Sequence, residues 1–328
     1  MITRRNFIKY SALGSLMPLA ASCQQEAKWK PEAFRRDNNS RVAILKAASY
    51  DIPLTETVIR GIKLCGLEVS GKRIVLKPNL VEFDPAGVIN TNPAVIEAAI
   101  DSFRTLGARE VIVAEGPGHR RDNEYLLSAS GIYQVMREHR VRYVDLNSDD
   151  VRPTLLRSSF TNLKQLYLPE TLYNADILVS MPKLKTHHWA GVTLSLKNMF
   201  GVIPGSIYGW PKNLLHWQGI HNSILDINSS LPIRQFAIVD GIVGMEGNGP
   251  LQGQAKASGV LIFGHDLVAV DATASRLMEI EPEKIQYLAY AGKFLGNLEY
   301  ERIEQIGDRL EKLKQDFQVI EEFRHLKV

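Results

Sequence analysis

Short apolar runs alternate along the chain with stretches of helical period. Residues 42–47, 73–77, 111–114, 142–146, 177–181, 236–239 and 260–263 are runs of strand length, with Gly, Pro, Asn or Asp at many of their ends. Residues 55–65, 131–139 and 221–229 read as helices between them. Asn92 is placed to cap another, with Pro93 in its first turn, Val95, Ile96, Ala99, Ile100 and Phe103 on one face, and Gly107 at its end. Asp266 caps a helix running through Met278, residues 281–295 read as helical, and the charged remainder to Val328 as a closing strand and helix. Residues 163–168 suggest a strand outside the main repeat, in antiparallel pairing. This alternation predicts an α/β fold: a mostly parallel sheet with helices on both faces, arranged as two lobes around a central cleft.

The apolar runs end in chemistry. Pro182 stops the run at 177–181, and Lys183, Lys185, His187 and His188 follow at once. Strand ends are where an open α/β sheet places its ligands. A helix expected to begin near Ala190 and Gly191 and reach Lys197 and Asn198 would bring N–H groups, two imidazoles and three ammonium groups onto one anionic group. Taken singly, a Lys is usually solvated surface and a His often a satisfied interior residue; it is their clustering behind a strand that points to a site. Lys77 and Asn79 end a second strand, and Glu115 a third, running into Gly116, Pro117, Gly118 and His119. Residues 206–217, rich in aromatics and turn formers, read as a lid or covering loop.

Two arrangements fit the acidic positions. Asp240 leaves a strand into a stretch with four glycines, Glu246 lies within it, and Asp271 interrupts an apolar run. These three carboxylates are candidates for a hard divalent cation. Alternatively the acids pair with the lysines and the site takes an organic anion directly, which the lack of closely alternating acidic ligands after Asp240 favours.

Composition narrows the class. A chain of 328 residues with 45% hydrophobic and 23% charged residues is ordinary globular material, and a net charge of +3 without a long basic run gives no support to a nucleic-acid partner. Residues 1–23 read as a targeting segment: Thr3 to Lys9 contains Arg4 and Arg5 and resembles the twin-arginine export signal, and residues 10–21 are apolar but too short to span a membrane. The expected partner is the twin-arginine export machinery, and the expected location periplasmic or anchored on the outer side of a membrane. Leu19 to Cys23 resembles a lipoprotein cleavage box, which would place a lipid anchor at Cys23; ordinary cleavage after a small residue is the alternative. Residues 24–40 read as a linker and the folded part as 41–328. Beyond Cys23 only Cys65 remains, so no cysteine-ligated iron–sulfur cluster is expected, and Cys65 reads as a small buried hydrophobe.

Several of these segments resemble the DUF362 family, a domain of unknown function, over about residues 42–278. The resemblance rests on Leu76-Lys77-Pro78-Asn79, Thr91-Asn92-Pro93, Glu115-Gly116, the stretch from Met181 to His187, Ser195-Leu196-Lys197-Asn198, Asp240-Gly241, and Gly264-His265-Asp266 with Asp271. Members often carry a ferredoxin-like cysteine segment, which this chain lacks. A fainter likeness is to the lactate racemase superfamily, through His187, Ala190, Gly191 and Lys197. It implies an acid/base role for the His, and for the Lys the attachment of a nickel pincer nucleotide.

The expectation is therefore an anionic small molecule bound in one polar cleft. His187, His188 and Lys197 are its catalytic candidates, for proton or hydride chemistry beside a carboxyl or carbonyl group. Lys77, Asn79, Glu115, Lys183, Lys185 and Asn198 would hold the ligand, with the cofactor unknown and a divalent cation at Asp240, Glu246 and Asp271 one option. Competing readings are a non-catalytic ligand- or cofactor-binding lipoprotein and a surface scaffold.

Overall fold

The structure is a computed structural model that describes residues 27–118 and 122–328. Arg4, Arg5, the apolar stretch 10–21, Cys23 and His119 lie outside the described residues. The first four strands are β1 (Ser40–Lys46), β2 (Arg73–Pro78), β3 (Glu110–Glu115) and β4 (Tyr143–Asp145). After them come β5 (Val151–Leu155), β6 (Gln165–Pro169), β7 (Ile177–Met181), β8 (Lys183–His187) and β9 (Gly191–Thr193). The long strands β10 (Arg234–Glu246) and β11 (Gln254–Gly264) and the late strand β12 (Ile303–Gly307) complete the set.

The main sheet runs β12-β1-β11-β10-β7-β2-β3-β4, and β8 joins along β10 with β9 beside it. Along that order every neighbouring pair is parallel except the two that involve β11. From β2 the chain moves outward to β3, whereas from β7 it moves the other way to β10. The sheet therefore reverses direction between β2 and β7, and such a switch point leaves a crevice beyond the strand ends. The strand expected at 163–168 is β6, antiparallel to β5 in a separate two-stranded ribbon.

Helices α1 (Leu54–Leu64), α2 (Pro93–Thr105) and α3 (Ile132–Glu138) cover one face of the sheet, while α4 (Ile220–Ser230), α5 (Leu267–Leu277) and α6 (Gln286–Ala291) cover the other. Alternate strand residues feed the two cores: Ile74, Leu76, Val111 and Val113 face α2, and Val75, Ile112, Ile262 and Val239 face the opposite layer. What the sequence suggests as two lobes is thus two cores on the faces of one continuous sheet. Asn92 caps α2 as expected, its side chain accepting from Ala94 N. Cys65 is buried, which pushes its thiol up to about 11.

Three stretches differ from expectation, each for a packing reason. The glycine-rich stretch after Asp240 is strand: β10 runs on to Glu246 against β11 and β8. Its glycines allow the neighbours in, since a Cβ at Gly244 would sit 2.7 Å from Leu184 O and one at Gly241 2.9 Å from Val260 Cγ2. Of the polar cluster after Pro182, Lys183 to His187 is also strand and wholly buried, with His188 half-buried just beyond it, and only Ser195–Asn198 of the expected 190–198 helix is helical. The described part of the expected linker docks on the body. Trp29 stacks on Phe294 at 4.6 Å and on Phe160 at 5.9 Å, and Phe34 meets Phe294 edge-on at 4.9 Å.

Candidate functional site

The crevice beyond β2, β3 and β7 has a buried ion pair at its floor. Lys77 Nζ lies 2.6 Å from Glu115 Oε2, and also donates to Asn198 Oδ1 at 3.1 Å and to Pro78 O at 3.0 Å. Asn198 in turn donates to Lys77 O and Ser180 Oγ, so one amide ties the short 195–198 turn to β2 and β7. Burial pulls Lys77 below the ordinary lysine value while Glu115 pulls it back. Gly201 packs directly over the pair: a Cβ there would sit 1.9 Å from Glu115 Oε1 and 2.6 Å from Lys77 Nζ. Only glycine permits that approach.

Strand β8 sends alternate side chains to different partners. Lys183 pairs with Asp240, opposite it in register, at 2.5 Å and donates to Tyr50 Oη at 3.0 Å. Lys185 is fully buried, and its hydrogen bonds go to two carbonyls, Ile89 O at 2.9 Å and Pro250 O at 3.4 Å. Burial and the charges of Lys197 and Lys183 hold its amine well below the usual value. His187 Nδ1 accepts from Trp189 N at 3.0 Å and Ala190 N at 3.2 Å. That places the ring proton on Nε2 and makes the ring a donor. Burial, then Lys197, holds His187 neutral, well below its usual titration range. His188 is half-buried, its ring edge-on to Trp189 at 4.8 Å.

Lys197 ends the 195–198 turn with its ammonium 4.3 Å from the centre of the Phe200 ring, and burial brings it down to about 8. Asp271 positions that turn from behind, accepting from Ser195 N at 2.7 Å and Leu196 N at 2.9 Å. Fully buried among apolar neighbours on α5, its carboxyl is raised to about 7.

The aromatic loop supplies two basic groups that the sequence reading did not single out. Lys212, at a left-handed φ of 67°, buries its amine against Gly116 O at 2.8 Å, Asn147 Oδ1 at 3.1 Å and Ile203 O. Burial lowers it to about 7. Four residues on, His216 Nδ1 faces Lys212 O at 3.2 Å, so its proton sits on Nδ1 and Nε2 carries the lone pair, with no hydrogen-bond partner among the described residues. The signal that could have found them was the placement of a Lys and a His four apart in the loop expected to cover the cleft.

These groups enclose a cavity of about 410 Å³, lined by Lys77, Asn79, Glu115, Lys185, His187, His188, Lys197, Asn198, Lys212 and His216. Of the expected ligand-holding residues only Lys183 is not on its wall, being committed to Asp240. Among the described residues four lysines thus face one carboxylate. Asn79 Oδ1 and Thr193 Oγ1, on buried residues of the same wall, have no hydrogen-bond partner among the described residues.

The three carboxylates suggested for a cation are not brought together. Asp240 serves Lys183, Tyr50 and Asn92 N; Glu246 serves Lys256 and Gln318 N; Asp271 holds the 195–198 turn. Among the described residues no group of three or more His, Cys, Asp or Glu is placed to hold a metal ion.

Comparison with known proteins follows the same core. The profile described as "Domain of unknown function (DUF362)" matches residues 74–276. A thylakoid-associated protein of Synechocystis sp. is 26% identical over 261 residues, covering 76% of this chain and 77% of its own. Among solved structures, the lactate racemase apoprotein from Thermoanaerobacterium thermosaccharolyticum superposes with a TM-score of 0.47 at 15% identity, over 76% of this chain and 58% of that one. A Thermotoga maritima protein from a structural genomics effort superposes at 0.36 and 12% identity, over 68% of this chain and 57% of its own. The chain thus spans less than two thirds of either solved structure.

Proposed function

This chain belongs to the DUF362 family, whose description carries no activity, and from the cleft itself we propose that it binds an organic anion and moves a proton on the carbon beside a carboxyl or carbonyl group. The observation that carries the reading is the charge imbalance of the cavity wall. Among the described residues, Lys77, Lys185, Lys197 and Lys212 line it with Glu115 as the one carboxylate. Burying several amines near each other suppresses their proton affinity, and an anion among them restores it.

The histidines suit complementary roles. His187, fixed as an Nε2–H donor, stabilises negative charge developing on a carbonyl oxygen, as a neutral imidazole can. His216, with its Nε2 lone pair free on the same wall, takes the proton from carbon. Lys197 and Lys185 hold the carboxylate. The experiment is solvent exchange: 2-oxo acids incubated with the protein in D2O and followed by proton NMR. Exchange at the carbon beside the carbonyl that is lost in His216→Ala supports the reading. Binding without exchange would favour the second reading, a ligand-binding protein built on the same cleft.

We further propose that Arg4 and Arg5 direct export of the folded chain, leaving it periplasmic or anchored through Cys23. The thylakoid association in the Synechocystis relative's name is compatible with an anchored protein. Replacing both arginines by lysine should leave precursor in the cytoplasm, as fractionation and immunoblotting would read it. Unchanged export would reject the assignment.

A further inference from the structure

The cleft is graded in polarity from floor to mouth. Its floor is basic and closed: Lys77 and Lys185 are fully buried and Lys212 is 2% exposed. Above that floor most of the exposed wall is apolar, with His188 and His216 set among the apolar side chains. Leu80 and Phe200 are buried, Val81 and Leu251 are half-buried, and Trp189 stands 59% exposed at the opening. An ion bound at the floor would leave this upper wall facing water.

Size gives the same answer. At about 30 Å³ for each water of bulk liquid, a cavity of about 410 Å³ holds the volume of roughly fourteen waters. A three-carbon acid, with about six non-hydrogen atoms, would occupy well under half of that. The remainder would be water against Phe200, Val81 and Leu251, where it finds few partners.

We propose that the ligand is an amphiphilic anion, one charged head on an apolar chain or ring of about six or more carbons, bound head-inward with its apolar body along Val81, Trp189, Phe200 and Leu251. This deepens the anion-binding reading above and rests on it. The head meets Lys197 and Lys185 beside Asn79, and the apolar body removes water from the upper wall.

The test is titration calorimetry of the full-length protein with straight-chain carboxylates from propanoate to decanoate, with octanol as an uncharged control. Each added methylene should tighten binding roughly fourfold until the cavity is full. Octanoate should then bind at least about 100-fold tighter than propanoate, and octanol much more weakly than octanoate. Lys197→Met should weaken every member by a common factor, whereas Leu251→Asp should reduce the gain per methylene. Equal affinity along the series would overturn the amphiphile and leave the anion cleft standing. Octanol binding as tightly as octanoate would overturn the head-inward orientation. An undiminished chain-length gain in Leu251→Asp would place the apolar contact outside the cleft and overturn the proposal as well. Failure of every carboxylate and of inorganic phosphate to bind would remove the anion-binding reading itself.

Discussion

Replacing Glu115 by Ala should cost about 3–5 kcal/mol of folding stability, read as a lowered urea midpoint, because it strands a buried ammonium. Lys77 is fully buried and 2.6 Å from Glu115, and its other partners, Asn198 Oδ1 and Pro78 O, are neutral. Glu115 also accepts from Gly116 N at 2.9 Å and Leu80 N at 3.3 Å, so the loops after β2 and β3 should loosen with it. The control is the double variant Lys77→Met with Glu115→Leu. Removing both charges removes the unpaired ion, so this variant should recover most of the loss, since an apolar pair of similar volume replaces a buried salt bridge at little cost. A double variant as unstable as the single would mean that packing against Gly201, not charge, sets the requirement.

Lys197→Met should weaken anion binding by about 2 kcal/mol, or roughly 30-fold, with little change in stability. Met keeps an unbranched apolar stem against Phe200 and removes the charge that stands 4.3 Å from that ring. No hydrogen bond among the described residues is lost with it, unlike Lys77, Lys183 or Lys212, whose amines each hold several partners. A variant with wild-type affinity would show that the anion is held elsewhere on the wall.

Strands and helices were legible in the sequence where a local period governs them. The capped start of α2, the apolar runs of β1 to β3 and β7, and the parallel sheet follow from patterns within a dozen residues. The stretch 183–187 was not legible as strand. Burying two lysines there depends on Asp240 and on the carbonyls of Ile89 and Pro250, all remote in sequence. The glycines after Asp240 carried the signature of a loop, yet they serve the close approach of β8 and β11. In the site, polar residues at strand ends led to Lys77, Glu115, His187 and Lys197, which the structure brings onto one wall. Lys212 precedes and His216 lies within a short helix, Asn213–Trp217, in a stretch whose sequence shows no periodicity, and their roles depend on a left-handed backbone at Lys212 that no residue type announces.

The central claim is that an anion restores proton affinity to amines that burial has suppressed, and proton uptake on binding tests it most directly. Calorimetric titration of octanoate into the protein at about pH 8, in buffers of different ionisation enthalpy, counts the protons exchanged. Lys197 lies near half-protonation there, having come down to about 8, and Lys185 lies well below its usual value. An anion beside them raises both, so the account predicts net proton uptake on binding, to which Lys197 contributes up to about half a proton, reduced in Lys197→Met. Binding with no proton uptake, and with the same affinity in Lys197→Met, would contradict it.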